Sequence, residues 1–156
     1  MIVLAFSDSH GTTYSIDEAM EREKNVNAIV FCGDIARDAD YIRETYPHIP
    51  LYAVRGNNDY FCTDPYLLLP ELAGVRLYIT HGHRERVKFG YHELVSQCRL
   101  KDCLLCIFGH THIPVSEECD GVYLVNPGSI RSSRGTYARI ELSDGTFHSE
   151  IRCIAE

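Results

Sequence analysis

The stretch "IVLAFSDSH", residues 2–10, runs through five apolar residues and then stops on Ser7, Asp8, Ser9 and His10. A short continuous apolar run with β-branched and aromatic members reads as a strand buried on both faces, the kind found in parallel sheets. Residues 12–26, "TTYSIDEAMEREKNV", follow with Ile16, Ala19 and Met20 among Glu, Lys and Arg, the pattern of an amphipathic helix. "AIVFCGD" (28–34) is a second buried run, "RDADYIRETY" (37–46) a short helix closed by Pro47, and "PLYAVRG" (50–56) a third strand. This βαβαβ order predicts a mainly parallel sheet with helices on its faces.

The second half predicts a strand at "VRLYITHG" (75–82), a helix at "GYHELVSQCRL" (90–100) and a strand at "CLLCIFGH" (103–110). "IPVSEECDGVYLVN" (113–126) and "TYARIELSDGTFHSEIRCI" (136–154) each hold two extended runs around Asp-Gly, the strongest short hairpin signal. The expectation is an α/β fold with a C-terminal antiparallel meander, giving a mixed sheet or two packed sheets. No repeat, linker or low-complexity segment divides the 156 residues, so residues 1–156 read as a single domain.

The first five runs all end in polar side chains: "FSDSH", "FCGD", "VRGNND", "ITHGH" and "FGHTH". In an open α/β sheet, ligands bind outside the carboxyl ends of the strands. Asp8, His10, Asp34, Asn57, His81, His110 and His112 are thereby directed to one place. Gly33, Gly56 and Gly109 each precede one of these residues, where the absence of a Cβ lets the main chain approach a centre closely. The i, i+2 pairs Asp8/His10 and His110/His112 can each point to one side if the backbone stays extended.

Two carboxylates, four histidines and an amide, with no thiolate, suit manganese, iron, nickel or zinc better than calcium or copper(I). Seven donors exceed one tetrahedral zinc and suit two ions sharing a carboxylate, about 3.5–4 Å apart in two-metal hydrolases. The composition is 45% hydrophobic and 24% charged, ordinary for a globular protein. A net charge of -7 sets the overall field against polyanions and anionic membranes, so phosphate chemistry has to be local. No apolar stretch has the length of a membrane span, and the first run is too short for a signal-peptide core. Seven cysteines, several inside apolar runs, fit a reducing compartment, and the chain is expected in the cytoplasm. Cys103 and Cys106 read as core residues, because no second ligand pair accompanies them.

In their order, "DSH" (8–10), "GD" (33–34), "GNND" (56–59), "HGH" (81–83) and "GHTH" (109–112) resemble the calcineurin-like metallophosphoesterase superfamily. "NPGS" (126–129) and the small size resemble its compact YfcE-type phosphodiesterase branch. The resemblance implies an αββα four-layer sandwich with mixed sheets. It also implies two divalent ions: Asp8, His10 and His112 on the first, Asn57, His81 and His110 on the second, and Asp34 bridging. Mn2+ is favoured, with Ni2+, Fe2+ or Zn2+ also suited. Two dications against two carboxylates leave about +2 for an anion. The implied reaction is hydrolysis of a small phosphate ester, foremost a diester, by a metal-bridging hydroxide.

Many superfamily members carry a proton-donating histidine where this chain has Asn58, and an amide is no acid near pH 7. His83 is the nearest candidate for a substitute acid, with a hydrogen-bonding role beside the ligands as its alternative. Asp59 is expected to brace the Asn57 loop or a ligand histidine. Arg55 is read as touching substrate or as a structural ion pair, and Arg131 and Arg134 as approaching phosphate or as solvated surface. Two competing readings remain: a metal-poor binding scaffold resembling Vps29, and a nuclease of the same superfamily, which the missing basic stripe speaks against. Little chain is left for a lid, so the site is expected to be open, with a homo-oligomer able to supply further walls.

Overall fold

The computed structural model describes residues 1–131 and 134–155. In chain order the elements are β1 (Ile2–Phe6), α1 (Tyr14–Arg22), β2 (Val26–Phe31), α2 (Ala36–Thr45), β3 (Leu51–Ala53), β4 (Leu67–Leu68), β5 (Glu71–Leu72) and β6 (Val75–Thr80). A 3-10 turn (Val87–Phe89), α3 (His92–Leu100), β7 (Leu105–Ile107), β8 (Val115–Cys119), β9 (Val122–Asn126), β10 (Thr136–Ser143) and β11 (Thr146–Cys153) complete the chain. One sheet has the order β11-β10-β1-β2-β3, the other β4-β6-β7-β9-β8 with β5 paired to β6. β1, β2 and β3 are parallel, as are β6, β7 and β9, and the outer strands β4, β8, β10 and β11 pair antiparallel.

Successive side chains of a strand point to opposite faces, and the apolar runs supply both. From β1 and β2, Val3, Ala5, Ala28 and Val30 face inward and meet Leu77, Ile79, Leu105, Ile107 and Val125 of the second sheet. Leu4, Phe6, Ile29 and Phe31 face outward and receive Ile16 and Ala19 of α1 with Ala39 and Ile42 of α2. On the far side Tyr78, Cys106, Phe108 and Leu124 cover Leu94, Val95 and Cys98 of α3. The result is a four-layer αββα sandwich. Helices of nine or ten residues are marginal alone, so these depend on the burial, worth roughly 1.5–3 kcal/mol for each fully covered Leu, Ile or Phe.

Both Asp-Gly hairpins form, with Asp120/Gly121 and Asp144/Gly145 all at positive φ, the geometry of a type I′ turn. They do not run on as one meander. β8–β9 joins the second sheet and β10–β11 the first, because the chain leaves β9 through Asn126-Pro127-Gly128 and crosses between sheets. A third tight turn, Ala73-Gly74 between β5 and β6, accepts at the Ala73 carbonyl the N–H of Gly145 (2.8 Å). This contact ties the two sheets at the end opposite the polar strand ends. Cys103 and Cys106 are buried beside Cys98 in the α3 layer, and burial raises both thiol pKa values, so they pack as neutral groups. No helix among the described residues is long and apolar enough to cross a membrane.

Candidate metal centre

The carboxyl ends of β1, β2 and β6 and the loops after β3 and β7 meet along one edge of the sandwich. Asp8, His10, Asp34 and His112 each offer one ligand atom, and these atoms all lie within 4.8 Å of one another. His112 Nε2 is 3.2 Å from Asp8 Oδ1, His10 Nε2 is 3.9 Å from Asp34 Oδ2, and the two Nε2 atoms are 3.4 Å apart. Asp8 is fully buried and Asp34 is 3% exposed, and no lysine or arginine pairs with either carboxylate among the described residues. Buried charge without a partner is costly. Asp8 Oδ2 accepts from Ser7 Oγ (2.6 Å) and the His110 N–H (3.0 Å), whereas the buried Oδ1 has no hydrogen-bond partner. An orphaned carboxylate oxygen facing two imidazoles is what a cation would satisfy.

A second group adjoins it. His81 Nδ1 lies 2.6 Å from the Cys32 carbonyl, which can only accept, so Nδ1 carries the proton and Nε2 a lone pair. That Nε2 lies 3.1 Å from both Asn57 Oδ1 and His110 Nδ1. Burial, then the neighbouring His81 and Lys88, lower the His110 pKa to about 4, so its imidazole is neutral near pH 7. With Nδ1 of His81 protonated, its Nε2 and the Asn57 Oδ1 are two acceptors 3.1 Å apart, an arrangement that a divalent ion would satisfy.

The backbone around these residues is not extended. Asp8 (φ 52), His10 (φ 48), Asp34 (φ 72), His110 (φ 70) and His112 (φ 60) are left-handed, a conformation costing roughly 1–2 kcal/mol per non-glycine residue. Turning the chain at each of these positions, rather than extending it, is how the strand ends gather the side chains. The glycines permit the crowding: a Cβ on Gly33 would sit 2.6 Å from the Gly56 nitrogen, one on Gly56 2.6 Å from the Asp34 nitrogen, and one on Gly109 1.9 Å from Ser7 Oγ.

Several residues hold these loops in place. Asp59 Oδ2 accepts the N–H groups of Gly56 (2.7 Å) and Asp34 (3.1 Å), and Oδ1 that of Ala36 (2.7 Å). The fully buried Asn126 donates to the Gly109 carbonyl and Thr111 Oγ1 and accepts the Gly128 N–H. Asp38 Oδ2 accepts from Ser9 Oγ (2.5 Å) and the Gly11 N–H (2.8 Å), and Ser129 Oγ donates to the Asp8 carbonyl (2.7 Å). Asp59→Ala strands three N–H groups and is expected to cost about 2–3 kcal/mol, read as a lower denaturation midpoint. An unchanged midpoint would contradict this bracing role.

A family model for the calcineurin-like phosphoesterase superfamily domain matches residues 1–145. The chain belongs to that superfamily. It is 30% identical over 159 residues to a probable metallophosphoesterase of Mycoplasma pneumoniae, covering 94% of this chain and 96% of that one. It is 28% identical over 161 residues to the phosphodiesterase YfcE of Escherichia coli K12, covering 86% of this chain and 83% of that one. A predicted phosphoesterase of Streptococcus pneumoniae superposes with a TM-score of 0.81 at 27% identity, over 99% of this chain and 90% of that one. Vps29 structures share the architecture at identities that carry the fold alone.

Beside this calcineurin-like centre, Asn58 is exposed; its N–H donates to Asp34 Oδ1 (3.1 Å) and its Nδ2 to Asp34 Oδ2 (2.9 Å). His83 is half-buried, its ring 5.4 Å from that of His81 and 6.1 Å from that of His110, with a buried and unpartnered Nδ1. Burial first, then His81 and Arg84, lower its pKa. Arg55 forms no ion pair among the described residues; its Nη2 donates to the Asp59 carbonyl (2.6 Å). Arg131 and Arg134 are exposed, and residues 132 and 133 lie outside the described ones. Nothing local marks Asp38, and although "NPGS" marks Asn126 and Ser129, their bracing contacts to Gly109, Thr111 and Asp8 depend on residues distant in the chain.

Proposed function

We propose that the chain is a divalent-metal-dependent phosphodiesterase acting on small phosphate esters at a binuclear site. The observation that carries this reading is the pair of adjoining donor groups, with buried Asp8 and Asp34 carboxylates that no lysine or arginine offsets among the described residues. Asp8, His10 and His112 would hold one ion, Asn57, His81 and His110 the other, and Asp34 both. The chemistry that ions held there would supply is Lewis acidity, toward water and toward phosphoryl oxygens. Mn2+ is the favoured ion, and Ni2+, Fe2+ and Zn2+ suit the same donors.

The chain's own groups set the rest of the chemistry. The Cys32 carbonyl fixes the His81 tautomer, and Asp59 holds the Asp34 and Gly56 backbones together. Asn58 orients Asp34 through its amide and has no proton to give a leaving alcohol, so activated esters should turn over best. His83, one ring away from His81 and His110, is the remaining side chain positioned to assist the leaving group. The seven free cysteines suit the cytoplasm, and the acidic chain suits small substrates over polymeric nucleic acid.

Chelator-treated protein is expected to lose hydrolysis of bis(p-nitrophenyl) phosphate and to regain it with Mn2+. Full turnover by protein shown to be metal-free would refute the assignment. A Vps29-like scaffold would show no turnover under any of these ions.

A further inference from the structure

Beyond His83 the site continues into a group of cations that metal binding does not use. The Arg55 and Arg84 guanidinium carbons lie 4.8 and 4.6 Å from the centroid of the Tyr66 ring. That ring is 5.8 Å from His83. Arg84 is exposed, and it makes no hydrogen bond and no ion pair among the described residues. Arg55 commits Nη2 to the carbonyls of Asp59 and Tyr60 and likewise meets no carboxylate among them. The acid next in sequence, Glu85, is buried and takes the hydroxyls of Tyr78 and Thr80. Arg86 and Lys88 follow on the same segment, a local excess of positive charge in a chain of net charge -7.

Two guanidinium groups drawn to one ring with no carboxylate paired to either among the described residues repel each other, although Glu85 and Glu93 line the same hollow, and an anion bridging their free N–H groups relieves this. The planar fork of arginine, steadied by an aromatic face, matches phosphate oxygens. Resting on the phosphodiesterase reading above, we propose that Arg84 and Arg55, ordered by Tyr66, form a subsite for a second phosphate of the substrate. The substrate class is then a small phosphodiester with an additional phosphate, such as a dinucleotide phosphorylated at one end. A long nucleic acid would meet the acidic remainder of the surface.

The test compares dithymidylate with and without a terminal phosphate, joined by a phosphorothioate linkage that resists hydrolysis, binding to Mn2+-loaded protein in a calorimeter. The phosphorylated form should bind about tenfold or more tightly, as charge-assisted hydrogen bonds allow. Arg84→Gln and Arg84→Ala should each cut that preference to about threefold or less. Arg99→Gln, which removes the same charge at the end of α3, should keep it and so exclude a general field effect. Equal binding of the two ligands by wild type, or a preference that survives both Arg84 variants, would overturn the subsite. A retained preference lost in the Arg84 variants, with no hydrolysis of the ordinary diesters, would support the subsite and count against the phosphodiesterase reading.

Discussion

Asp34→Ala is expected to lower phosphodiester turnover on the order of 10³-fold or more. Asp34 is 3% exposed, stands at φ 72, and holds both carboxylate oxygens against Asn58 while facing His10 Nε2. Its carboxylate belongs to the cluster with Asp8, His10 and His112, and in the proposed binuclear arrangement it would be shared by both ions. Losing it should remove several kcal/mol of transition-state stabilisation, at about 1.4 kcal/mol per tenfold in rate. Asp34→Asn keeps the shape and should lose nearly as much, because the charge matters more than the volume. Turnover with saturating Mn2+, beside a circular dichroism spectrum showing an intact fold, measures the effect. An Asn variant within about tenfold of wild type would deny the carboxylate its bridging role.

Gly33→Ala should carry the largest stability cost in the site, about 2–5 kcal/mol from left-handed strain and overpacking together. Gly33 has φ +88, and an added Cβ would lie 2.6 Å from the Gly56 nitrogen and 2.8 Å from the Val54 carbonyl oxygen. Both contacts are backbone, which has no rotamer by which to yield. Gly11 separates the two costs: it has φ +84 but nothing within 4 Å of an added Cβ, so Gly11→Ala should lose only the strain, about 1–2 kcal/mol. Denaturant titrations of the two variants measure the difference. Equal losses would mean that the close approach of the Gly33 and Gly56 strand ends does not constrain the fold.

The gathering of polar strand ends was legible because it follows from order along the chain. Parallel strands place their carboxyl ends on one edge, and a buried apolar run that stops on Asp or His marks that edge wherever it recurs. The layers followed from the same runs, whose alternate residues feed two cores. The hairpins were legible only locally: Asp144-Gly145 fixes a turn, but which sheet its strands join depends on pairing with β1, more than a hundred residues earlier. Distance along the chain also hid the contact of Ser129, whose hydroxyl reaches the Asp8 carbonyl across 121 positions, and the place of Tyr66, an ordinary tyrosine until Arg55 and Arg84 meet it. The left-handed backbone at Asp8, His10, Asp34, His110 and His112 was not legible, because Asp and His carry no local mark of positive φ comparable to glycine.

In the proposed binuclear arrangement this one edge holds two ions. Elemental analysis of protein loaded with Mn2+ and freed of unbound metal by gel filtration tests it most directly. Two ions per chain are predicted for wild type, falling to one in His81→Ala, which leaves Asp8, His10, Asp34 and His112 in place. One ion or none in the wild-type chain would contradict the account.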